Sequence, residues 1–133
     1  MDEATLRLYL VSRSNANGLT LAVRQVLADW TDSQANRTQR QSGMNWQVTG
    51  LGAGSDYDAA ADGTAALTSA GGAWVELDVK AMTQAWVTDP ATNHGVVLLA
   101  QAASGSVSAG FCSELGWSPC DLSQAPQLTL WYH

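Results

Sequence analysis

Two acidic residues at alternate positions, Glu76 and Asp78, are the first candidates for chemistry in this sequence. A spacing of two places both side chains on the same face of a β-strand. A pair of carboxyl groups can hydrolyse a glycosidic bond, but the same spacing also produces a solvent-facing polar row, and we favour this second interpretation. The two histidines, His94 and His133, belong to no nucleophile motif, and no glycine-rich phosphate loop precedes a helix. We therefore expect a protein that is not an enzyme.

Three further carboxyl groups lie close together in a segment rich in glycine and alanine, at Asp56, Asp58 and Asp62. Calcium binds about six to eight oxygen atoms, which acidic loops supply. The spacing does not match an EF-hand loop, because the third aspartate is displaced and no glutamate closes the run. Two interpretations stay open: a calcium site formed by these three residues, or turns in which aspartate side chains accept hydrogen bonds from backbone amides.

The chain has two cysteines, Cys112 and Cys120, and the segment between them contains the turn formers Gly116 and Pro119. We predict a disulfide between them, which implies an oxidising compartment. The alternative is two unrelated buried thiols. Zinc is not expected, because no matching pair of histidines accompanies the cysteines.

Tryptophan, present six times, is the most informative residue type. An indole ring can stack on the flat C–H face of a sugar, whose hydroxyl groups bond to polar side chains. Core packing or loop anchoring is the expected role of four tryptophans, namely Trp30, Trp46, Trp74 and Trp86. Trp117 lies between the cysteines, while Trp131 and Tyr9 lie on the outward sides of predicted strands, and Tyr9 shares its side with Arg7. We predict that these last four residues bind carbohydrate; a hydrophobic plug over a sheet end is the other role open to Trp117.

Composition limits the class of protein further. The 133 residues are 46% hydrophobic and 14% charged, which suits one globular domain with a sizeable core. Twelve acidic residues against six basic ones give a net charge of −6. Because an acidic chain repels phosphate backbones, nucleic acid is not an expected partner. No apolar window of about eighteen residues exists, so we expect no membrane insertion.

Alternating apolar residues predict strands at both ends of the chain. Residues 4–11 and 19–26 alternate on either side of a turn that contains Asn17-Gly18, which predicts an antiparallel hairpin. Residues 28–73 lose this pattern, apart from a short strand near residues 45–48. Residues 73–79 alternate again.

The rest of the chain completes the predicted fold. The period changes over residues 80–87, where we predict a short helix that ends before Asp89-Pro90. The apolar run 95–100 predicts a central strand buried on both faces, and two more strands follow at residues 105–112 and 127–132. Together these elements predict a single all-β module over residues 1–133, an antiparallel β-sandwich of jelly-roll type with one short helix.

Four stretches also carry a resemblance to a known family. They are Ala4-Thr5-Leu6-Arg7-Leu8-Tyr9; Asp29-Trp30-Thr31 with Trp46 and Gly54-Ser55-Asp56-Tyr57; Trp74-Val75-Glu76-Leu77-Asp78-Val79 with Gln84-Ala85-Trp86 and Asn93-His94-Gly95; and Ser113-Glu114 with Pro126-Gln127-Leu128-Thr129-Leu130. In this order they resemble the DNRLRE-type carbohydrate-binding modules of large secreted bacterial and archaeal proteins. The resemblance implies a jelly-roll β-sandwich without a catalytic role.

The family usually begins with further strands, including an Arg-Phe-Asp-Leu strand, so this chain resembles the C-terminal two-thirds of the family pattern. Missing strands would leave a sheet edge and an apolar groove open to strand addition. One hypothesis is that another chain or a neighbouring copy supplies them; the other is a trimmed member that closes its own sheet.

The expected function is thus a secreted or cell-surface module that binds polysaccharide or another surface glycan and attaches proteins to it. The alternative is a structural subunit of a surface fibre or adhesin that assembles by β-strand complementation. An inert spacer module is a third possibility.

Overall fold

The computed structural model describes residues 1–114 and 119–133. It is mostly β, with about 40% of residues in strands and 12% in helices, which confirms the expected mostly-β class with antiparallel sheets and one helix. The strands and the α-helix are β1 (Glu3–Arg13), β2 (Leu19–Gln25), β3 (Gln39–Gln41), β4 (Met44–Asn45), β5 (Gly63–Leu67), β6 (Ala73–Asp78), α1 (Lys80–Thr88), β7 (Val96–Ala102), β8 (Ala109–Phe111) and β9 (Gln127–Trp131). Two short 3-10 helices lie at Pro90–Thr92 and Leu122–Gln124.

The strands form three sheets. In the first, β6 pairs with one side of β1, and β8 and β9 pair with the other side, all antiparallel. The second sheet has the order β5-β2-β7, and β3 and β4 form a small third sheet. The first sheet matters most for function, because β1 aligns residues from β6 and β9 on a common face.

The predicted hairpin between the first two strands is wrong, since β1 and β2 lie in different sheets. The connection between them is held by Arg13, whose guanidinium donates to the carbonyl oxygens of Leu67 at 2.9 Å and Ser69 at 3.3 Å, and also to that of Asn17. Both strands bury one apolar row, as alternation requires. Alternation therefore identified the strands but not their partners.

The chain folds into two compact units, each built from separate segments. The first comprises residues 1–22, 63–80 and 100–133, and the second residues 23–62 and 81–99. In the first unit, Leu10, Leu19 and Leu67 form a buried cluster, against which half-buried apolar residues pack, among them Val75 and Phe111. The predicted alternation of β1 is confirmed, because Leu8 and Leu10 are buried.

Helix α1 agrees closely with the prediction for residues 80–87, since it ends at Thr88, one residue before Asp89-Pro90. The carboxylate of Asp78 accepts a hydrogen bond from the backbone amide of Lys80 at 3.0 Å, which satisfies a free amide of the first helical turn. Met82, on the apolar stripe of the helix, is buried.

Two strands expose more apolar surface than the sequence predicted. β7 is a sheet-edge strand with an exposed Leu98, so the prediction of a central strand buried on both faces is wrong. In β9, Leu128 and Leu130 face the same side as the buried row of β1, yet they are 46% and 37% exposed. β5, rich in glycine and alanine, was not predicted because its side chains alternate too weakly to mark a strand.

Candidate functional site

The solvent side of the first sheet gathers aromatic, charged and hydroxyl side chains, which we call the aromatic face. Residues paired across antiparallel strands point to the same side, so the register of β1 with β6 and β9 defines this set. Its members are Glu3, Thr5, Arg7 and Tyr9 of β1, Trp74, Glu76 and Asp78 of β6, and Gln127, Thr129 and Trp131 of β9.

A compact cluster occupies one end of the aromatic face. The ring centroids of Tyr9 and Trp74 are 5.3 Å apart and their planes meet at 80°, an edge-to-face arrangement. The Cζ of Arg7 lies 4.2 Å from the centroid of the Trp74 ring, a cation–π distance. Its Nε lies 3.4 Å from Oε1 of Glu76 without making a hydrogen bond. Four side chains from two strands therefore hold one another in place while remaining partly exposed.

Trp131 marks the other end of the aromatic face. It lies opposite Glu3 in the register and is 61% exposed. Tyr9 follows Glu3 by six positions along β1, so the two aromatic ends are about 20 Å apart at the rise of an extended strand. Thr5, Thr129 and Gln127 lie between the ends. The Thr5 hydroxyl donates to Glu3 at 3.3 Å and the Gln127 amide to the carbonyl oxygen of Ser123 at 3.2 Å, and their oxygens keep acceptor capacity for a ligand. This arrangement can stack and hydrogen-bond a long polar ligand.

The structure brings together two of the predicted carbohydrate-binding residues, Arg7 and Tyr9, and places Trp131 on the same face. Trp117 lies outside the described residues. Trp74, predicted to pack in the core, instead contacts Arg7 and Tyr9 on the solvent side. The alternation of its own strand contained the signal, because Trp74 falls on the side opposite Val75.

The two carboxylates that first suggested chemistry, Glu76 and Asp78, are exposed and lie on the aromatic face. Glu76 is close to Arg7, and Asp78 accepts the hydrogen bond at the start of α1. The contact with Arg7 and the hydrogen bond to the helix are both structural roles, and they explain why carboxylates occupy these two positions.

The acidic loop of the second unit is organised by Asp56, whose side chain is 1% exposed. Its carboxylate accepts hydrogen bonds from the backbone amides of Gln47, Val48 and Gly52 at 2.8–2.9 Å. Burial raises the pKa of Asp56, but these amides and the charge of Arg40 outweigh it, so the pKa lies below its usual value. A charged carboxylate therefore holds the loop together.

Asp62 has a similar structural role. It accepts hydrogen bonds from the backbone amide and side-chain amide of Gln25, at 2.8 and 3.2 Å. In the part of the chain that the structure describes, no three His, Cys, Asp or Glu side chains form a group able to hold a metal ion. The geometry of Asp56 and Asp62 is that of turn-stabilising side chains, which favours the turn interpretation over a calcium site formed with Asp58.

Two tryptophans anchor the long irregular segment of the second unit. The indole of Trp46 is buried and donates to the carbonyl oxygen of Asn36 at 2.8 Å, while that of Trp30 donates to the backbone carbonyl oxygen of His94. With Leu51, both line a shallow cavity of about 250 Å³. Leu51 has a φ of +67°, a conformation that L residues rarely adopt. The lining is almost entirely apolar, unlike the aromatic face.

The disulfide between Cys112 and Cys120 is present, as predicted. Such bonds persist in oxidising compartments and are rare where thiols are kept reduced, so the protein belongs in a non-reducing environment. Among residues 1–114 and 119–133, no helix is long and apolar enough to cross a membrane.

Comparison with models of protein families, with curated proteins and with solved structures returned no match to this chain. The resemblance to DNRLRE-type modules therefore stays a prediction.

Proposed function

We propose that this chain is a non-catalytic, extracellular module that binds polysaccharide along the aromatic face, within a jelly-roll β-sandwich of DNRLRE type. The observation that supports it is the cluster of Arg7, Tyr9, Trp74 and Glu76, which stays partly open to solvent instead of packing into the core. Exposed aromatic and arginine side chains grouped on one surface are typical of binding sites.

The shape of the face favours an extended polymer over a single sugar. A β-sheet surface is broad, and the binding groups follow strands instead of surrounding a deep pocket. With aromatic groups about 20 Å apart and polar groups between them, a chain of several sugar rings reaches both ends. A guanidinium carries five N–H donors, so Arg7 can donate hydrogen bonds to sugar hydroxyls while it lies over the Trp74 ring.

The test is a titration of soluble polysaccharides followed by tryptophan fluorescence and calorimetry. Trp131→Ala removes the exposed ring, and we expect binding to weaken by about five- to ten-fold, the loss of one aromatic contact. Tyr132→Ala is the matched control, because it removes a neighbouring exposed aromatic that alternation places on the opposite side. Trp117→Ala tests the remaining predicted residue. Equal losses in Trp131→Ala and Tyr132→Ala would contradict the proposed site.

A second candidate is the fibre or adhesin subunit that assembles by strand complementation, and the exposure of β9 favours it. Leu128 and Leu130 are partly open on the side that β1 buries, and among the described strands β9 pairs with β1 alone. Apolar, unpaired sheet edges accept added strands. This function predicts concentration-dependent assembly in sedimentation velocity, abolished by Leu130→Lys, with no response to glycans. A monomer at all concentrations would exclude it.

A further inference from the structure

The charged side chains on the aromatic face indicate which class of glycan this face binds. Three carboxylates lie on the face, from Glu3, Glu76 and Asp78, against the single guanidinium of Arg7. Lys80, the only lysine, begins α1 and belongs to none of the three strands.

Arg7 is not free to attract an anion. Its guanidinium already lies over the Trp74 ring and beside the Glu76 carboxylate, so the nearest negative charge offsets its own. An acidic sugar placed on the face would meet uncompensated carboxylates, and like charges repel over about 10 Å at moderate ionic strength. A ligand ammonium group would instead meet carboxylates whose oxygens still have acceptor capacity.

From this charge pattern we infer that the aromatic face selects against acidic polysaccharides and prefers polymers that carry protonated amino groups. The inference rests on the proposed function and specifies its ligand. Glu76 is the specificity-determining residue, because it is exposed, belongs to the cluster with Tyr9 and Trp74, and lies 3.4 Å from the guanidinium of Arg7. Neutral polymers bind by stacking and hydrogen bonds alone, so their affinity lies between that of the cationic and that of the anionic polymers.

The experiment compares three soluble β-1,4-linked polymers: chitosan, hydroxyethyl cellulose and carboxymethyl cellulose, which are cationic, neutral and anionic. Binding is measured by calorimetry at about pH 5.5, where the amino groups of chitosan are protonated. We expect affinity to fall in that order. Raising the salt concentration from about 0.05 to 0.5 M should weaken chitosan binding and leave the neutral polymer unchanged.

Glu76→Gln should weaken chitosan binding by about two- to five-fold, the range for one exposed charge pair, and strengthen carboxymethyl cellulose binding because Arg7 is released. Asp32→Asn is the matched control: it removes one charge from an exposed residue outside the three strands and should leave all affinities unchanged.

The outcomes separate this inference from the proposed function. Binding that depends on Trp131 but ranks the anionic polymer equal to or above the others would overturn the charge preference alone. If Glu76→Gln and Asp32→Asn weaken chitosan binding equally, the polymer is attracted by the overall charge of the protein, and the charge preference of the aromatic face is overturned. The same conclusion follows if Trp131→Ala leaves the affinity for chitosan unchanged. If no polymer binds, both fail.

Discussion

The buried carboxylate of Asp56 provides the sharpest test of how the second unit is held together. Replacing it in Asp56→Asn preserves the shape of the side chain but removes the charge. One oxygen can still accept a hydrogen bond, but the new NH₂ group must face a backbone amide that is itself a donor. With the side chain only 1% exposed, water cannot reach the unpaired groups.

The expected cost follows from these contacts. Hydrogen bonds to a charged group contribute about 1.5–3 kcal/mol each, and an unsatisfied buried donor costs about 1–3 kcal/mol. Because the substitution weakens three bonds and leaves at least one donor unpaired, we expect the free energy of unfolding to fall by about 3–5 kcal/mol. The change should be concentrated in the loop that contains Gln47, Val48 and Gly52.

Urea unfolding, followed by tryptophan fluorescence, measures this loss, because Trp46 lies next to the loop. Asp58→Asn is the matched control: it makes the same chemical change in the same loop, at a carboxylate that accepts no hydrogen bond from the described residues. We expect the control to change stability by less than about 0.5 kcal/mol. Equal effects of the two substitutions would refute the structural role of Asp56.

The same carboxylate predicts a dependence on pH. The pKa of Asp56 is lowered in the folded protein, so its ionised form stabilises the fold above the ordinary pKa of 3.8, and this contribution is lost as the pH falls through the lowered value. The difference in stability between wild type and Asp56→Asn should therefore be constant near neutral pH and shrink in strong acid. A difference that grows on acidification would contradict the sign of the shift.

Three further predictions concern the remaining structural features. Replacing Cys112 and Cys120 by serine should lower stability by about 2.5 kcal/mol, the value for a short closed loop, measured by thermal unfolding with and without reductant. Arg13→Lys should cost about 1–3 kcal/mol in urea unfolding, because a compact ammonium lacks the planar fork of donors with which the guanidinium reaches both the Leu67–Ser69 segment and Asn17. Because Asp56 and Asp62 already bond to amides, calcium or EDTA should leave Tm unchanged; a rise on adding calcium would restore the calcium-site interpretation.

Short-range pattern was enough to predict the elements whose side chains alternate strongly. In β1 and β6 the apolar residues recur at every second position, which predicts the strands. For α1, the change of period predicts where the helix begins, and the proline after Asp89 predicts where it ends. The partner of each strand depends on long-range contacts instead. The connection from β1 to β2 crosses between sheets. Arg13, where this connection begins, binds the carbonyl groups of Leu67 and Ser69, more than fifty residues away, and no local pattern records such a contact.

The aromatic face was predictable in part for the same reason. Tyr9 and Arg7 share a side of one strand, so alternation alone grouped them. Trp74 joined them only through the antiparallel register that sets Tyr9 opposite Trp74 and Arg7 opposite Glu76. That register is set by burial of Leu77 and Val75 on the other side, since a slip of one residue would exchange the two faces.

The distribution of arginine links the irregular loops to the proposed specificity. Three of the five arginines bind backbone carbonyl groups: Arg13 as described, Arg24 at Asp58 and Ala59, and Arg40 at Asp29. A planar guanidinium can bridge several carbonyls, which suits a chain whose long segments lack ladder hydrogen bonds. Arginines used in this way have fewer N–H donors left for a ligand, and the chain has only one lysine beside them. On the three strands of the aromatic face, Arg7 is the one basic residue against three carboxylates, and Glu76 lies 3.4 Å from it. The charge preference proposed for the face therefore depends on residues that the strand register itself brings together.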